Sequence, residues 1–373
     1  MTSAATVFDH QALSEISVST HAVAAEAHRG LTSPQKSLAP WLFYDEAGSR
    51  LFEQITALPE YYLTRTERAL FAAHADDIFA KLGVSATNPD SAQLPAAPQP
   101  FVTSPPPIPF SRAPHLTIAE LGAGTASKTG ILLRTLTQIQ PHVLYQPIDI
   151  SPTALDKARS QIERTIPGVT VRPRIANYIT DRFSIERPSH TRILALYIGS
   201  SIGNFSPPEA RAILSRLRAH LSPGDALLLG TDLAPSLAGT GPPKSIAALL
   251  AAYNDSAGVT AAFNRNILAR LNRELGANFS LARFAHRALW NPMHSRIEMH
   301  LVSLAKQTVL LPRSSAGPTL SIHFAAGETI HTENSYKFTP AALAALLSAS
   351  RFAPTRTFTD PENLFAVTLA TAD

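Results

Sequence analysis

Residues 115–139 read HLTIAELGAGTASKTGILLRTLTQI, and the succession of patterns in this stretch decides the fold. A short apolar run, HLTIAELG (115–122), ends on glycine, and ASKTGILLRTLTQI (126–139) then carries apolar residues at helical spacing. Strand, glycine turn and helix form the opening half of a βαβ unit, and the chain repeats it. VLYQPIDI (143–150) is a strand closing on an acid, and SPTALDKARSQIERTI (151–166) opens with Ser151 and Pro152, a cap and a first-turn residue. VTVRPRI (169–175) and RILALYIG (192–199) are the next strands. Ser206-Pro207 starts a helix to about Leu221, and DALLLGTDL (225–233) is a fifth strand. Alternation of this kind predicts a parallel sheet covered on both faces.

Upstream, TERALFAAHADDIFAKLG (66–83) reads as a helix with Thr66 as N-cap and Gly83 closing its end. Between them and the first strand stands a stretch with nine prolines from Pro89 to Pro114. It can form neither helix nor ladder and is expected to be a polyproline-like surface insertion, able at most to serve a proline-recognition module. Downstream the alternation stops. Residues from about 244 to 275 read as helical, ending at Gly276, and 279–335 read as consecutive strands, among them RIEMHLVSLA, QTVLLP and TLSIHFAAG. A helix, TPAALAALLSAS (339–350), and strands near 354–359 and 364–370 then complete the interrupted sheet.

The composition narrows the functional classes. The 373 residues are 45% hydrophobic and 16% charged, ample for a core, and two to three domains or one elaborated domain are expected. A net charge of +4 comes from scattered Lys and Arg without a cluster, so a nucleic-acid groove is not expected. The absence of cysteine excludes disulfides, thiolate metal sites and a cysteine nucleophile. The start, MTSAATVFDHQALSEI, lacks a signal-peptide pattern, and no apolar run is long enough to span a membrane. A soluble, cytoplasmic, monomeric protein is expected. The 13 histidines show no helical pair around an acid, so no metal site is expected, and His323 and His331 read as surface or packing residues on strands.

Two loops carry chemistry. In AELGAGTASKTG (119–130), Gly122 and Gly124 permit a sharp turn and close approach of a ligand. A dinucleotide fingerprint would place a third glycine at 127, where Ser127 stands, which disfavours a nicotinamide oxidoreductase. A turn of this form with Asp149 closing the second strand suits a nucleoside without pyrophosphate, such as S-adenosylmethionine, whose ribose hydroxyls the carboxylate can accept. The same glycines also suit a turn needed only for packing. IGSSIGNF (198–205) follows the fourth strand at the carboxyl edge, where open α/β sheets bind ligands, although its Asn204 equally suits a plain turn. In HTENSYKF (331–338), strand alternation puts Glu333 and Ser335 on one face, either toward a ligand or toward a surface arginine and water.

Taken together, YDEAGSRLFEQITALPEYYLTRTE (44–67), ELGAGTASKT, IGSSIGNFSP, LLLGTDL, YNDSAGVTAAFNRN (253–266), RIEMHL and TENSYKF resemble the histidine-specific Nα-methyltransferases of ergothioneine biosynthesis. The segments keep the family's order over nearly the whole chain, outside the proline-rich insertion. The resemblance implies a Rossmann-like class I methyltransferase sheet, an α/β fold, with a split α+β substrate-binding domain inserted before the last helix and strands. In this chain the substrate domain would be 15–66 with 246–337. The cofactor domain would be 67–245 with 338–373, carrying the insertion at 84–114. The implied reaction is three methyl transfers from S-adenosylmethionine to the α-amine of L-histidine, giving hercynine.

Position by position, the resemblance places Tyr44 at the cofactor near the methyl donor, and Gly122, Lys128 and Asp149 at cofactor-binding positions. The adenine-contacting pair, usually Asp-Phe, aligns with Asn177-Tyr178, a departure that keeps an acceptor and loses a charge. Tyr61, Gly199, Asn204 and Tyr253 would surround the substrate, with Asn204 and Tyr253 at its amino-acid end and Tyr44 and Asn204 nearest the chemistry. Glu333 and Ser335 would face the imidazole, and Met299 with Glu333 speaks for histidine over a tryptophan derivative, the substrate of some fungal relatives. Tyr44, Phe52 and Tyr61 are candidates for an aromatic surround of the methylated amine, Phe52 being equally suited to plain core. A non-catalytic cofactor-binding or scaffold protein is the rival from another class.

Overall fold

The computed structural model describes residues 20–84, 115–235, 244–312 and 319–373. The proline-rich stretch from 85 to 114 lies outside them. Residues 20–31 form a first helix, α1. Then follow α2 (Glu46–Ala57), α3 (Tyr62–Lys81), β1 (His115–Leu121), α4 (Thr129–Ile139), β2 (Val143–Asp149) and α5 (Pro152–Thr165). β3 (Val169–Val171), β4 (Arg174–Ile175), β5 (Thr191–Tyr197), α6 (Pro207–Arg218) and β6 (Ala226–Asp232) complete the alternating half. The remainder comprises α7 (Ile246–Ala252), α8 (Val259–Leu275), β7 (Phe284–Asn291), β8 (Arg296–Ser303), β9 (Gln307–Leu311), β10 (Leu320–Phe324), β11 (Thr329–Tyr336), α9 (Pro340–Ala349), β12 (Phe352–Thr359) and β13 (Phe365–Ala372).

The main sheet runs β12-β13-β6-β5-β1-β2-β3, with β4 also on β2. From β3 to β6 every pairing is parallel, while β13 is antiparallel to both β6 and β12. Their near-continuous apolar runs follow from burial on both faces: β6 is buried at every residue, as is β1 after His115. The helices start where the sequence supplies caps. Ser151 accepts from Ala154 N–H, Thr339 from Ala342 N–H, and Ser206 with Glu209 forms a capping box.

Three sequence readings change. α3 begins at Tyr62, so Thr66 lies inside it. Burial of Tyr62 and Leu63 in the core decides the start in place of a side-chain cap. The stretch read as one helix from 244 to 275 is two, separated by 253–258. Asp255 caps α8 by accepting from the N–H groups of Val259 and Thr260 (2.9 and 2.7 Å), and Gly258 adopts a left-handed φ of 73°. The strand read at 169–175 is divided into β3 and β4 on either side of Arg172 and Pro173, the proline having no N–H to give the ladder.

The inserted segment builds a three-stranded antiparallel sheet, β11-β8-β7, and a two-stranded one, β10-β9. β11 is flanked on its far side by residues 36–38: His331 N–H donates to Lys36 C=O and Leu38 N–H to His331 C=O. Its pairing with β8 slips between His331 and Glu333, leaving Thr332 as the extra residue of a β-bulge. The slip matters because it reverses parity. Ile330, Glu333 and Ser335 thereby share the face of Leu301, Met299 and Ile297, all three buried.

The main sheet leaves no room above Gly230 of β6, where a Cβ would stand 2.0 Å from Glu67 Oε1. Gly230→Ala is expected to cost about 1–3 kcal/mol in denaturant unfolding, the range for overpacking a tight site. A loss under about 0.5 kcal/mol, the level of a neutral surface change, would contradict this packing.

Candidate active site

The first half of the site is the turn after β1. Gly122 and Gly124 both hold positive φ (65° and 52°), and Gly122 N–H donates to Ile148 C=O at the end of β2. Asp149, the last residue of β2, accepts from Gly124 N–H through Oδ2 (2.8 Å) and from Ser151 N–H through Oδ1 (2.9 Å). Each oxygen thus keeps a lone pair for a further donor. Burial raises the Asp149 pKa while those N–H groups oppose the shift. A Cβ at Gly124 would meet nothing within 4 Å, so open space lies over the turn. Tyr178 closes its side: its ring lies 3.5 Å from where a Gly122 Cβ would stand, and its hydroxyl is 3.4 Å from that of Tyr197. Asn177 is half-buried, and its Oδ1 is turned back to accept from Ile179 N–H (3.0 Å). Its acceptor is therefore shared with the local turn. A carboxylate with vacant lone pairs beside a bare glycine turn fits the ribose of an adenosyl cofactor.

Glu67 of α3 joins this loop to the next. Fully buried, it accepts from Gly199 N–H (2.8 and 3.0 Å) and pairs with the ammonium of Lys128. Gly199 holds φ 82°, and a Cβ there would stand 2.9 Å from Lys128 Nζ. Asn204 follows in a short 3₁₀ turn; its carboxamide is half-buried and has no hydrogen bond among the described residues. Gly203 beside it packs on β11, where a Cβ would stand 2.7 Å from Tyr336 C=O.

The second half is the inner face of β11. Glu333 is 9% exposed and its carboxyl has no hydrogen-bond partner among the described residues. Burial pushes its pKa up to about 8, with Lys337 partly opposing. Met299 lies directly across the strand pair from it. Ser335 is 2.7 Å from the hydroxyl of Tyr253, whose ring meets that of Tyr61 edge-on at 6.3 Å. Tyr61 continues to Phe52 (6.3 Å), Phe52 to Tyr44 (5.7 Å), all edge-to-face. The Tyr44 hydroxyl is raised well above the ordinary phenol range, first by burial and then by Glu333, Tyr61, Tyr178 and Asp149. Tyr44 therefore stands within electrostatic reach of both halves of the site.

Beneath these groups lies an ion cluster that the sequence reading left unassigned. Lys337 Nζ donates to Asp232 (2.6 Å), to Tyr253 Oη (2.8 Å) and to Ser335 Oγ (2.8 Å). Asp232 also pairs with Lys244 and accepts from the Tyr62 hydroxyl (2.9 and 3.0 Å). Asp232 and Lys337 have no side-chain exposure. An ammonium has three N–H donors, so Lys337 is fully used. The contact between Ser335 and Tyr253 uses one hydroxyl proton, leaving the other free for a ligand. Ser335 and Tyr253, expected at opposite ends of the substrate, thus belong to one hydrogen-bonded cluster. Glu67, Asp232 and Lys337 all lie within motifs quoted above, and period two puts Lys337 on the face of Glu333 and Ser335. That was the signal available for it. Elsewhere, Glu298, His300 and His331, which form no helical pair around an acid in the sequence, come together across two strands on the opposite face of this sheet.

A parallel sheet with one reversed strand, a glycine turn after β1 and an acid closing β2 define a class I S-adenosylmethionine-dependent methyltransferase. The model of the S-adenosylmethionine-dependent, histidine-specific methyltransferase family matches residues 23–372, and the chain belongs to that family. It is 38% identical over 352 residues to a histidine N-alpha-methyltransferase of Mycolicibacterium smegmatis, covering 93% of this chain and 95% of that one. To the protein of the same name from Mycobacterium tuberculosis it is 36% identical, over 94% of each chain. A 4-dimethylallyltryptophan N-methyltransferase of Claviceps purpurea is 26% identical over 55% of this chain and 53% of its own.

Removing one partner of a buried ion pair strands the other. Lys337→Met and Asp232→Asn are each expected to lower the unfolding free energy by about 3–5 kcal/mol. The double variant should lose clearly less than their sum, and strict additivity would contradict the coupling. Glu333 makes stability depend on pH. From its ordinary value of 4.5 up to about 8, the folded protein keeps a proton that the unfolded chain has lost. Stability therefore falls as pH rises through this window, by at most about 1.4 kcal/mol per pH unit. Glu333→Gln should gain on the wild type between pH 5 and 8 in urea unfolding; a difference constant with pH would contradict the shift.

Proposed function

We propose that this protein transfers methyl groups from S-adenosylmethionine to the α-amine of L-histidine, three in succession, giving hercynine for ergothioneine biosynthesis. Family membership supports the reaction, and the observation that carries the substrate is Glu333, a buried carboxyl on the inner face of β11 without a hydrogen-bond partner among the described residues. In this reading Glu333 accepts an imidazole N–H, and Ser335, fixed by Lys337 and Tyr253, serves the other ring nitrogen. Met299 packs behind the ring. Tyr61, Gly199, Asn204 and Tyr253 hold the amino-acid end, Tyr253 standing where that end meets the ring because its hydroxyl bonds Ser335, with the carboxamide of Asn204 nearest the amine.

Gly122, Lys128, Asp149, Asn177, Tyr178 and Tyr44 would hold the cofactor, which supplies an electrophilic methyl on a sulfonium. The protein's own contribution is positioning and exclusion of water, because an in-line displacement needs an unprotonated amine aligned at about 3 Å. Tyr44, Phe52 and Tyr61 offer aromatic faces and edges to a nitrogen that loses its donors and becomes a fixed cation as methyls accumulate. We read 15–66 with 246–337 as the substrate domain and 67–245 with 338–373 as the cofactor domain. No described helix is long and apolar enough to cross a membrane, which supports reading the protein as cytoplasmic, and we take it as a monomer.

The test is incubation with S-adenosylmethionine and each of the 20 amino acids and 4-dimethylallyltryptophan, followed by mass spectrometry. Mass gains of one to three methyls confined to histidine are expected. Methylation of the tryptophan derivative instead would transfer the site to the other substrate class, and no turnover would leave a binding protein. Glu333→Ala should raise the histidine KM on the order of 10–100-fold, the range for a hydrogen bond to a charged group, and leave cofactor affinity in place. An unchanged KM would remove Glu333 from the imidazole.

A further inference from the structure

The outer face of the three-stranded sheet carries a second constellation. Arg296, Glu298 and His300 of β8 lie on the face opposite Met299 and Glu333, and His331 of β11 lies directly opposite His300. One ligand-capable atom from each of Glu298, His300 and His331 lies within 4.8 Å of the others. The carboxylate is divided between two tasks. Oε1 accepts from Arg296 (2.6 and 2.8 Å) and Asn291 (2.8 Å), whereas Oε2 meets His300 Nε2 at 3.2 Å. That separation matches the edge, about 3.3 Å, of a tetrahedron with metal–ligand bonds of about 2.0 Å.

The second observation is independent of that spacing. His300 is 8% exposed, and its Nε2 is the nitrogen turned to Glu298. His331 Nε2 is buried and has no hydrogen-bond partner among the described residues, and its ring lies 5.0 Å from that of His300. Buried polar atoms are nearly always paired, so an orphan imidazole nitrogen beside a carboxylate and a second imidazole calls for a ligand that the described residues do not provide.

We propose that Glu298, His300 and His331 bind one divalent transition-metal ion of the zinc class. Two imidazoles and one carboxylate oxygen form a borderline donor set with a fourth position left to water, whereas magnesium or calcium would demand mainly oxygen. Arg296, engaged on Oε1, and Arg287, exposed and cross-strand from His300, weaken the site without filling it. The ion would join β8 to β11 at the bulge. His331 and Glu333 flank the extra residue Thr332, so a clamp on the outer face fixes the parity that turns Glu333 inward.

The experiment uses untagged full-length protein, stripped with EDTA and exchanged into chelator-free buffer without histidine. Zn²⁺ is titrated against a chromophoric chelator, and Co²⁺ binding is followed by its visible absorption. One Zn²⁺ per chain, tetrahedral Co²⁺ bands and a higher Tm with zinc are expected. Affinity should fall at least ~10-fold in Glu298→Gln and in His331→Gln. His300→Asn replaces either variant whose circular dichroism departs from wild type. Substoichiometric zinc, or binding unchanged in the folded variants, would overturn the proposal, leaving the nitrogens to water or the zinc to other histidines.

Discussion

A carboxylate and an ammonium, both closed to solvent, meet where the main sheet hands over to the inserted one: Asp232 at the end of β6 and Lys337 just past β11, 2.6 Å apart. Neither charge is tolerable there alone, since an unpaired buried ion costs several kcal/mol. The pair therefore fixes β11 against β6. Phe338 N–H adds a backbone bond to Asp232 C=O, and Lys244 and Tyr62 hold the other sides of the carboxylate. Glu67 makes the corresponding joint beside the glycine turn, tying α3 to Lys128 and to the backbone of Gly199.

With both joints closed, the polar groups between them are sorted into used and unused. Lys337 spends all three donors, Ser335 and Tyr253 share a proton, and the carboxyl of Glu333 and the carboxamide of Asn204 remain without partners among the described residues. A site that leaves such groups unpaired until the right ligand arrives discriminates by the cost of leaving them so. The raised pKa of Glu333 is the electrostatic face of the same fact: it lies in a place where a charge is welcome only with a donor beside it.

The main sheet was legible because buried parallel strands and their crossover helices leave long, regular patterns in the chain. The glycine turn, Asp149 and the Glu333–Ser335 face followed from spacing and resemblance. What escaped were joints between distant residues. Tyr62 and Asp232 are 170 positions apart, and Gly199 and Glu67 are separated by 132, so no local pattern couples them. The bulge at Thr332 escaped for another reason: an extra residue leaves the composition of the strand unchanged while reversing its faces. The start of α3 at Tyr62 and the break before α8 reflect burial of Tyr62 and capping by Asp255, where tertiary packing and a side-chain bond outweigh helical periodicity.

In the proposed reaction the inner face of β11 reads the imidazole of histidine. A crystal structure with L-histidine and S-adenosylhomocysteine tests it most directly. An imidazole nitrogen within hydrogen-bond distance of Glu333, and the α-amine turned toward the glycine turn beside Asp149, is the predicted result. A histidine bound with its ring away from Glu333 would contradict it.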